Sequence, residues 1–349
     1  MSDRDLPLRD PDAHWPLLPE LLTGVRVVSI PLNTKFRGVQ HREAAILLGG
    51  ERVSEFSPFT EYGTAEAATW LAAALNYGYG TAHTPRRDRV PVNATVPALA
   101  PENIPALLAR YGEPEALHTV KIKVAEKGED LAADVARVRR VRELLPTAAL
   151  RIDANEGYRH VDALTVLTEL ADINLEYVEQ PVPGIEGLAR LREELRARGI
   201  STPVAADEAV RKSDDPLRVA QLGAADLIVV KAQPLGGIRR AQQIIAAAGL
   251  PAVISSALDT GVGISMGATL AAVLDELPYS CGLATGALFT DDVLTAESAQ
   301  RLYATPGYLT PGEVQVDPAK LAQYAASPER EQWWRERISA CYRQLCPIL

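Results

Sequence analysis

Five short strand-like runs end in an ionisable residue where a buried strand would carry an apolar one. They are Lys121-Ile122-Lys123, Asp153 in Arg-Ile-Asp-Ala-Asn, Glu179 in Tyr-Val-Glu-Gln-Pro, Asp207 in Ala-Ala-Asp-Glu and Lys231 in Ile-Val-Val-Lys-Ala-Gln-Pro. From Lys123 onward the successive gaps are 30, 26, 28 and 24 residues, each about one strand-helix unit. Side chains alternate along a strand, so Lys121 and Lys123 share one face while Val120 and Ile122 share the other. A single strand-end Asp is commonly a helix cap; five ionisable residues in step call for a common cause. Three converging carboxylates repel, since a like-charge pair at roughly 4 Å costs about 4 kcal/mol even at an effective dielectric of about 20. A positive charge must sit between them, and carboxylate ligation without His or Cys points to one hard divalent cation, Mg²⁺, on Asp153, Glu179 and Asp207. Lys123 and Lys231 flank it. A cation and a second ammonium, Lys121, both disfavour the protonated amine, so a lysine here is lowered toward neutral pH and can act as a base. The expected chemistry is proton abstraction next to a metal-bound carboxylate.

Lysine is scarce in this chain, at seven residues, whereas arginine occurs 29 times. Lysines inside apolar strand-like segments therefore ask for a role specific to an amine that can lose its proton.

The elements that position these residues read as an α/β fold. From about residue 91 the candidate strands are 91–96, 119–124, 150–154, 176–179, 203–206, 227–231, 252–256 and roughly 280–283, with helix-like segments such as 128–145 and 237–248 between them. Eight strands at this spacing predict a closed barrel, with the ionisable strand ends on its C-terminal rim. The first ninety residues predict an α+β module instead, with strands over 25–32, 42–48 and 52–56 and a helix near 65–75. A final helix is expected over 328–345, carrying Trp333, Trp334 and Tyr342 and packing back on the N-terminal module. The expected division is 1–90, 91–294 and 295–349.

Composition excludes several classes. With 36 basic against 45 acidic residues and a net charge of −9, the chain shows no electrostatic footprint for nucleic acid or anionic lipid. The longest apolar stretch, 244–258, is broken by Gly249 and Pro251, and residues 1–20 carry no apolar signal core, so a soluble cytoplasmic protein is expected. Cys281, Cys341 and Cys346 have neither the number nor the spacing of a disulfide framework or a structural zinc site.

With these motifs in place, the sequence resembles the enolase superfamily, in its Lys-x-Lys (muconate-lactonizing) subgroup; a Lys or His base beside Mg²⁺ is that superfamily's device. The resemblance implies a modified TIM barrel of (β/α)7β type with a capping domain formed from the N-terminus and the C-terminal segment. Within the superfamily, the run from Ala252 to Gly261, the string Cys281-Gly282-Leu283-Ala284-Thr285-Gly286, the string Phe36-Arg37-Gly38 and the string from Glu55 to Phe59 resemble o-succinylbenzoate synthases of the menaquinone pathway, particularly actinobacterial ones. The likeness spans about residues 25–320. It implies that cap loops near 34–38 and 56–62 shape specificity. One departure stands in the cap, where the usual Gly-Trp-Gly-Glu reads Arg-Val-Ser-Glu at Arg52 to Glu55, and the first cap loop is short.

That resemblance implies syn dehydration of 2-succinyl-6-hydroxy-2,4-cyclohexadiene-1-carboxylate, with Mg²⁺ on the substrate carboxylate and stabilising the enediolate. Lys123 would remove the α-proton and then assist departure of the hydroxyl, Lys231 would stabilise charge and Lys121 would hold Lys123 partly deprotonated. Ser255 and Ser256 are candidates to hold the succinyl carboxylate, or else to cap the helix that follows. Asn155, Thr285, Arg37 and Phe36 complete the candidate substrate-binding set. An N-succinylamino acid racemase or dipeptide epimerase would use the same metal site with both lysines as bases, although Gly282 to Gly286 offers no acidic pair for a dipeptide's amino group. Muconate cycloisomerase would want a longer cap loop, and a Schiff-base role for Lys231 is a further reading. A non-catalytic metabolite-binding barrel would be more stable without these buried charges. Oligomeric state is left open, with a monomer compatible.

Overall fold

The computed structural model describes residues 7–36, 38–211 and 217–346. Seven parallel strands, Ala94–Val96, Thr119–Lys123, Ala149–Asp153, Tyr177–Glu179, Val204–Ala206, Leu227–Val230 and Ala252–Ile254, are hydrogen-bonded in chain order into one sheet. Helices connect them. The helix Leu131–Leu144 shows how: Asp130 caps it by accepting from the Ala133 amide at 2.8 Å, and Val135, Val138 and Val141 are buried while Arg139 and Arg140 stay nearer solvent. Each such buried valine contributes about 1.5–3 kcal/mol relative to exposure.

The eighth strand differs from the expectation for 280–283. That segment makes only two isolated parallel bridges, Cys281 to Val92 and Gly282 to Ser255, which nevertheless join both edges of the seven-stranded sheet. Gly282 explains the short contact, since a Cβ there would come within 2.5 Å of the Ser255 hydroxyl. The first expected strand, 91–96, also divides. Val90–Pro91 pairs antiparallel with Tyr308–Leu309, and only Ala94–Val96 joins the barrel sheet. Pro91 has no N–H for a ladder, and the Val92 amide turns to Gly307 O at 2.9 Å.

Inside the barrel, Tyr177, Ala205, Leu227, Val229 and Val253 form a small apolar plug below the rim. Arg151 is wholly buried beside it, stacked 4.7 Å over Tyr177 and donating to Glu176, to Asn93 and to the Ser280 carbonyl.

The N-terminal sheet orders Val25–Phe36, Val39–Leu47 and Ser54–Phe56 antiparallel, followed by the helix Thr64–Tyr79. The first strand runs longer than its apolar pattern indicated, because pairing resumes at Phe36 with Val39 around Gly38, whose φ of +77° suits glycine. The helix Pro328–Leu345 starts at a Ser327 cap and lies against the N-terminal elements. Trp334 meets Phe56 edge-on at 5.7 Å and donates to Glu43, while Arg337 reaches the Phe59 and Tyr62 carbonyls.

Candidate active site

Parallel register brings the strand ends to one level. Lys123 lies opposite Asp153, Asp153 opposite Glu179, and Lys121 opposite both Thr95 and Arg151. Lys121, Lys123, Asp153, Asn155, Glu179, Asp207, Lys231, Ser255, Ser256 and Thr285 all line one cavity on the C-terminal rim. Its free space is small, about 30 Å³. Larger cavities, of about 720 Å³ at the N-terminal end of the barrel and about 340 Å³ around Tyr111 and Tyr303, hold none of these groups.

The lysine ammoniums occupy the ground between the carboxylates. Lys121 Nζ lies 3.0 Å from Glu179 Oε1 and 3.1 Å from Asp153 Oδ2, Lys123 Nζ lies 2.5 Å from Asp153 Oδ2 and 2.6 Å from Asn155 Oδ1, and Lys231 pairs with Asp207. Accordingly, among the described residues no three acidic, imidazole or thiol groups form a ready ligand cage by themselves. All six charged side chains are in buried residues.

Burial opposes charge on Lys121, Lys123, Asp153 and Glu179, and the neighbouring charges reinforce or offset it. Against burial, Glu179 and Asp153 lift the Lys121 amine well above the ordinary lysine value, so it is a fixed ammonium. Burial, reinforced by that neighbouring ammonium, holds the Lys123 amine below its ordinary value although Asp153 opposes the shift. Asp153, despite burial, is kept well below the usual carboxylate range by Lys123 and Lys121. Glu179 is pushed up to about 7 by burial and by the nearby Asp153 and Asp207 carboxylates. Three carboxylates whose hard oxygen donors converge on one cavity fit a divalent cation. Asp153, Glu179 and Asp207 are the residues that would hold it.

Ser255 and Ser256 face the site from the end of the Ala252–Ile254 strand. Both hydroxyls reach Gly282 O, at 3.4 and 3.2 Å, and the Ser256 hydroxyl lies 2.8 Å from that of Thr285. Neither caps the following helix, Gly261–Val273; its cap is Thr260, which accepts from the Val262 amide. The capping alternative for the two serines is therefore corrected. Phe36 ends the first strand, its side chain lying outside what is described, and Arg37 falls outside the described residues.

Sequence reasoning missed Thr95, Ala257, Leu258 and Gly282 in the cavity wall, and Arg151 beneath it. Arg151 and Thr95 were within reach: Arg151 precedes Asp153 by two and so shares its face, and Thr95 sits in a strand already recognised. Ala257 and Leu258 carried no such signal, because Leu258 bends the chain with a φ of +62° after the strand has ended.

Residues 103–307 match the family model for enolase C-terminal domain-like proteins, and residues 27–78 match that for enolase N-terminal domain-like proteins. The chain belongs to the enolase superfamily. Among its superfamily relatives, a protein named o-succinylbenzoate synthase from Mycobacterium ulcerans is 47% identical over 326 residues, spanning 93% of this chain and 95% of that one. Another so named, from Mycolicibacterium smegmatis, is 46% identical over 94% and 98% of the two chains. Solved superfamily structures share the fold. The 2-chloromuconate cycloisomerase of Rhodococcus opacus superposes with a TM-score of 0.72 at 21% identity over 87% of this chain and 98% of that one. The N-succinyl Arg/Lys racemase of Bacillus cereus gives 0.72 at 20% identity over 86% and 96%.

Proposed function

We propose that this superfamily member catalyses the syn dehydration of 2-succinyl-6-hydroxy-2,4-cyclohexadiene-1-carboxylate to 2-succinylbenzoate, the o-succinylbenzoate synthase reaction of menaquinone biosynthesis, as a soluble cytoplasmic enzyme that uses Mg²⁺. The observation that carries this reading is identity of 45–47% to proteins of that name over at least 93% of the chain. Residues 91–294 act as the catalytic barrel, and residues 1–90 with 295–349 as its cap. Charge supports an anionic substrate: with Lys123 neutral, three carboxylates face two ammoniums, so a divalent cation leaves one positive charge at the site.

A cation bound by Asp153, Glu179 and Asp207 supplies positive charge against the negative charge that builds up on the substrate carboxylate. Lys123, in its neutral form, accepts the α-proton, and the electrons of the broken C–H bond enter the ring. The same amine, now an ammonium, delivers that proton to the departing hydroxyl; the C–O bond breaks, water leaves and the ring becomes aromatic. Lys121 remains protonated throughout and favours the neutral amine at Lys123. Lys231, paired with Asp207, stays an ammonium across the ring from Lys123.

The deciding measurement is turnover of the cyclohexadiene, followed by loss of its diene absorbance, beside racemisation of an N-succinylamino acid. Dehydration is expected to be the faster, because aromatisation supplies a driving force that racemisation lacks. Faster racemisation would overturn the reading while leaving the lysine and metal assignments standing.

Ser255 and Ser256 hold the succinyl carboxylate in this scheme. Ser256→Ala is expected to raise KM by about tenfold with kcat little changed, the loss of roughly one hydrogen bond to a charged group. Steady-state kinetics check it, and an unchanged KM removes Ser256 from the binding role.

A further inference from the structure

The wall of the cavity formed by Ser255 to Leu258 is held from outside the barrel. Arg42, on the N-terminal strand Val39–Leu47 and only 3% exposed, donates through Nε to Leu258 O at 3.0 Å and through Nη2 to Ala257 O at 3.3 Å and to Ser57 O. Its guanidinium lies 4.4 Å over the Phe59 ring, which fixes its plane. Three residues beyond Ala257, a second cap residue takes over. Glu55, on Ser54–Phe56 and 1% exposed, accepts from the Thr260 hydroxyl at 2.5 Å, from the Gly263 amide at 3.0 Å and from the Ser57 hydroxyl at 2.6 Å. Gly263 is fitted to this contact, since a Cβ there would approach Glu55 Oε2 to 3.0 Å and the Asp259 Cβ to 2.7 Å.

These bonds fall on a segment that needs holding. Leu258 carries a backbone conformation that branched-chain and other L residues rarely adopt, and such a conformation persists only where surrounding contacts fix it. The Arg42 fork reaches the carbonyls of Leu258 and its predecessor, and Glu55 fixes the start of the helix Gly261–Val273 that takes the chain away. A planar, five-donor guanidinium suits two adjacent carbonyls in a way that an ammonium does not.

We propose that Arg42 and Glu55 are positioning residues of the reaction: from the N-terminal sheet they clasp the segment Ala257–Gly263 and so set the place of Ser255 and Ser256 in the substrate pocket. The inference rests on the assignment of that pocket to the succinyl end of the substrate. Substrate affinity then depends on docking between the two parts of the molecule, at a point that touches neither the metal-ligand candidates nor the lysines.

The test uses the full chain with Arg42→Met, Arg42→Lys and Glu55→Gln, each assayed on the cyclohexadiene and each followed by amide hydrogen exchange of peptides covering 255–263 and 119–123. Arg42→Met is expected to raise KM about tenfold or more with kcat within about threefold, as loss of bonds from a charged donor predicts. Exchange of 255–263 should quicken while 119–123 stays protected. Arg42→Lys should recover part of the KM loss, and Glu55→Gln, which keeps size and one acceptor oxygen, should move both readouts in the same direction by less. Should Arg42→Met not fold, the Arg42→Lys and Glu55→Gln pair carries the same comparison. A lowered melting temperature with KM and 255–263 exchange unchanged overturns the proposal, leaving a purely structural contact. If wild type does not dehydrate the diene at all, the functional reading fails, and the exchange of 255–263 alone then decides the clasp.

Discussion

Lys123→Ala is expected to lower dehydration by about a thousandfold or more, within the range that a positioned general base contributes, and to abolish exchange of the substrate α-proton with solvent deuterium. Lys123 is the amine that burial and the adjacent Lys121 ammonium favour in its neutral form, and it is fixed in place by Asp153 and Asn155. Lys231 differs: its partner is the Asp207 carboxylate, and its proposed part is to supply charge. Lys231→Arg therefore keeps the charge but sheds a proton poorly, and retained dehydration in that variant supports the one-base scheme. The sharper experiment is in D₂O with an N-succinylamino acid. Single variants at 123 and 231 that each still exchange the α-proton of one enantiomer would make both amines bases, and full α-proton exchange of the cyclohexadiene by Lys123→Ala would remove Lys123 from its assigned role.

Exhaustive chelation and dialysis are expected to abolish turnover, and Asp207→Asn to lower it by about 10²–10³-fold by weakening charge stabilisation in the transition state. The independent readout is binding of Mn²⁺ by calorimetry or electron paramagnetic resonance, where Asp207→Asn should lose at least about tenfold in affinity. Asp207 is buried and paired with Lys231, and asparagine retains its shape, so circular dichroism should show an intact fold. Mn²⁺ binding equal to wild type in Asp207→Asn removes Asp207 from the ligand set, and full activity after chelation removes the metal from the reaction.

The two predictions rest on positions legible in the sequence. Period-two alternation placed Lys121 and Lys123 on one face, and a repeat of 24–30 residues placed Asp153, Glu179, Asp207 and Lys231 at the same height, because parallel strand-helix units of similar length return the chain to the same rim. Strand limits followed where the apolar pattern was local, as in Thr119–Lys123 and Leu227–Val230. They failed where pairing was decided by distant partners: residues 90–96 split between Tyr308–Leu309 and the barrel, and 280–283 shrank to bridges at Cys281 and Gly282.

The sequence by itself determined which ionisable groups meet on one rim, through residue types whose spacing matches the repeat of the fold. Only the tertiary structure decided what surrounds those groups. It put Arg151 and its stacked Tyr177 beneath the carboxylates, gave the cap of the Gly261–Val273 helix to Thr260 and left Ser255 and Ser256 facing the cavity, and set Arg42 and Glu55 against the pocket wall more than 200 residues away along the chain. The reason is physical. Periodicity reports which face of its own element a side chain occupies, whereas a buried arginine or glutamate finds its partners among backbone groups that packing alone brings near, and those contacts leave no pattern along the chain.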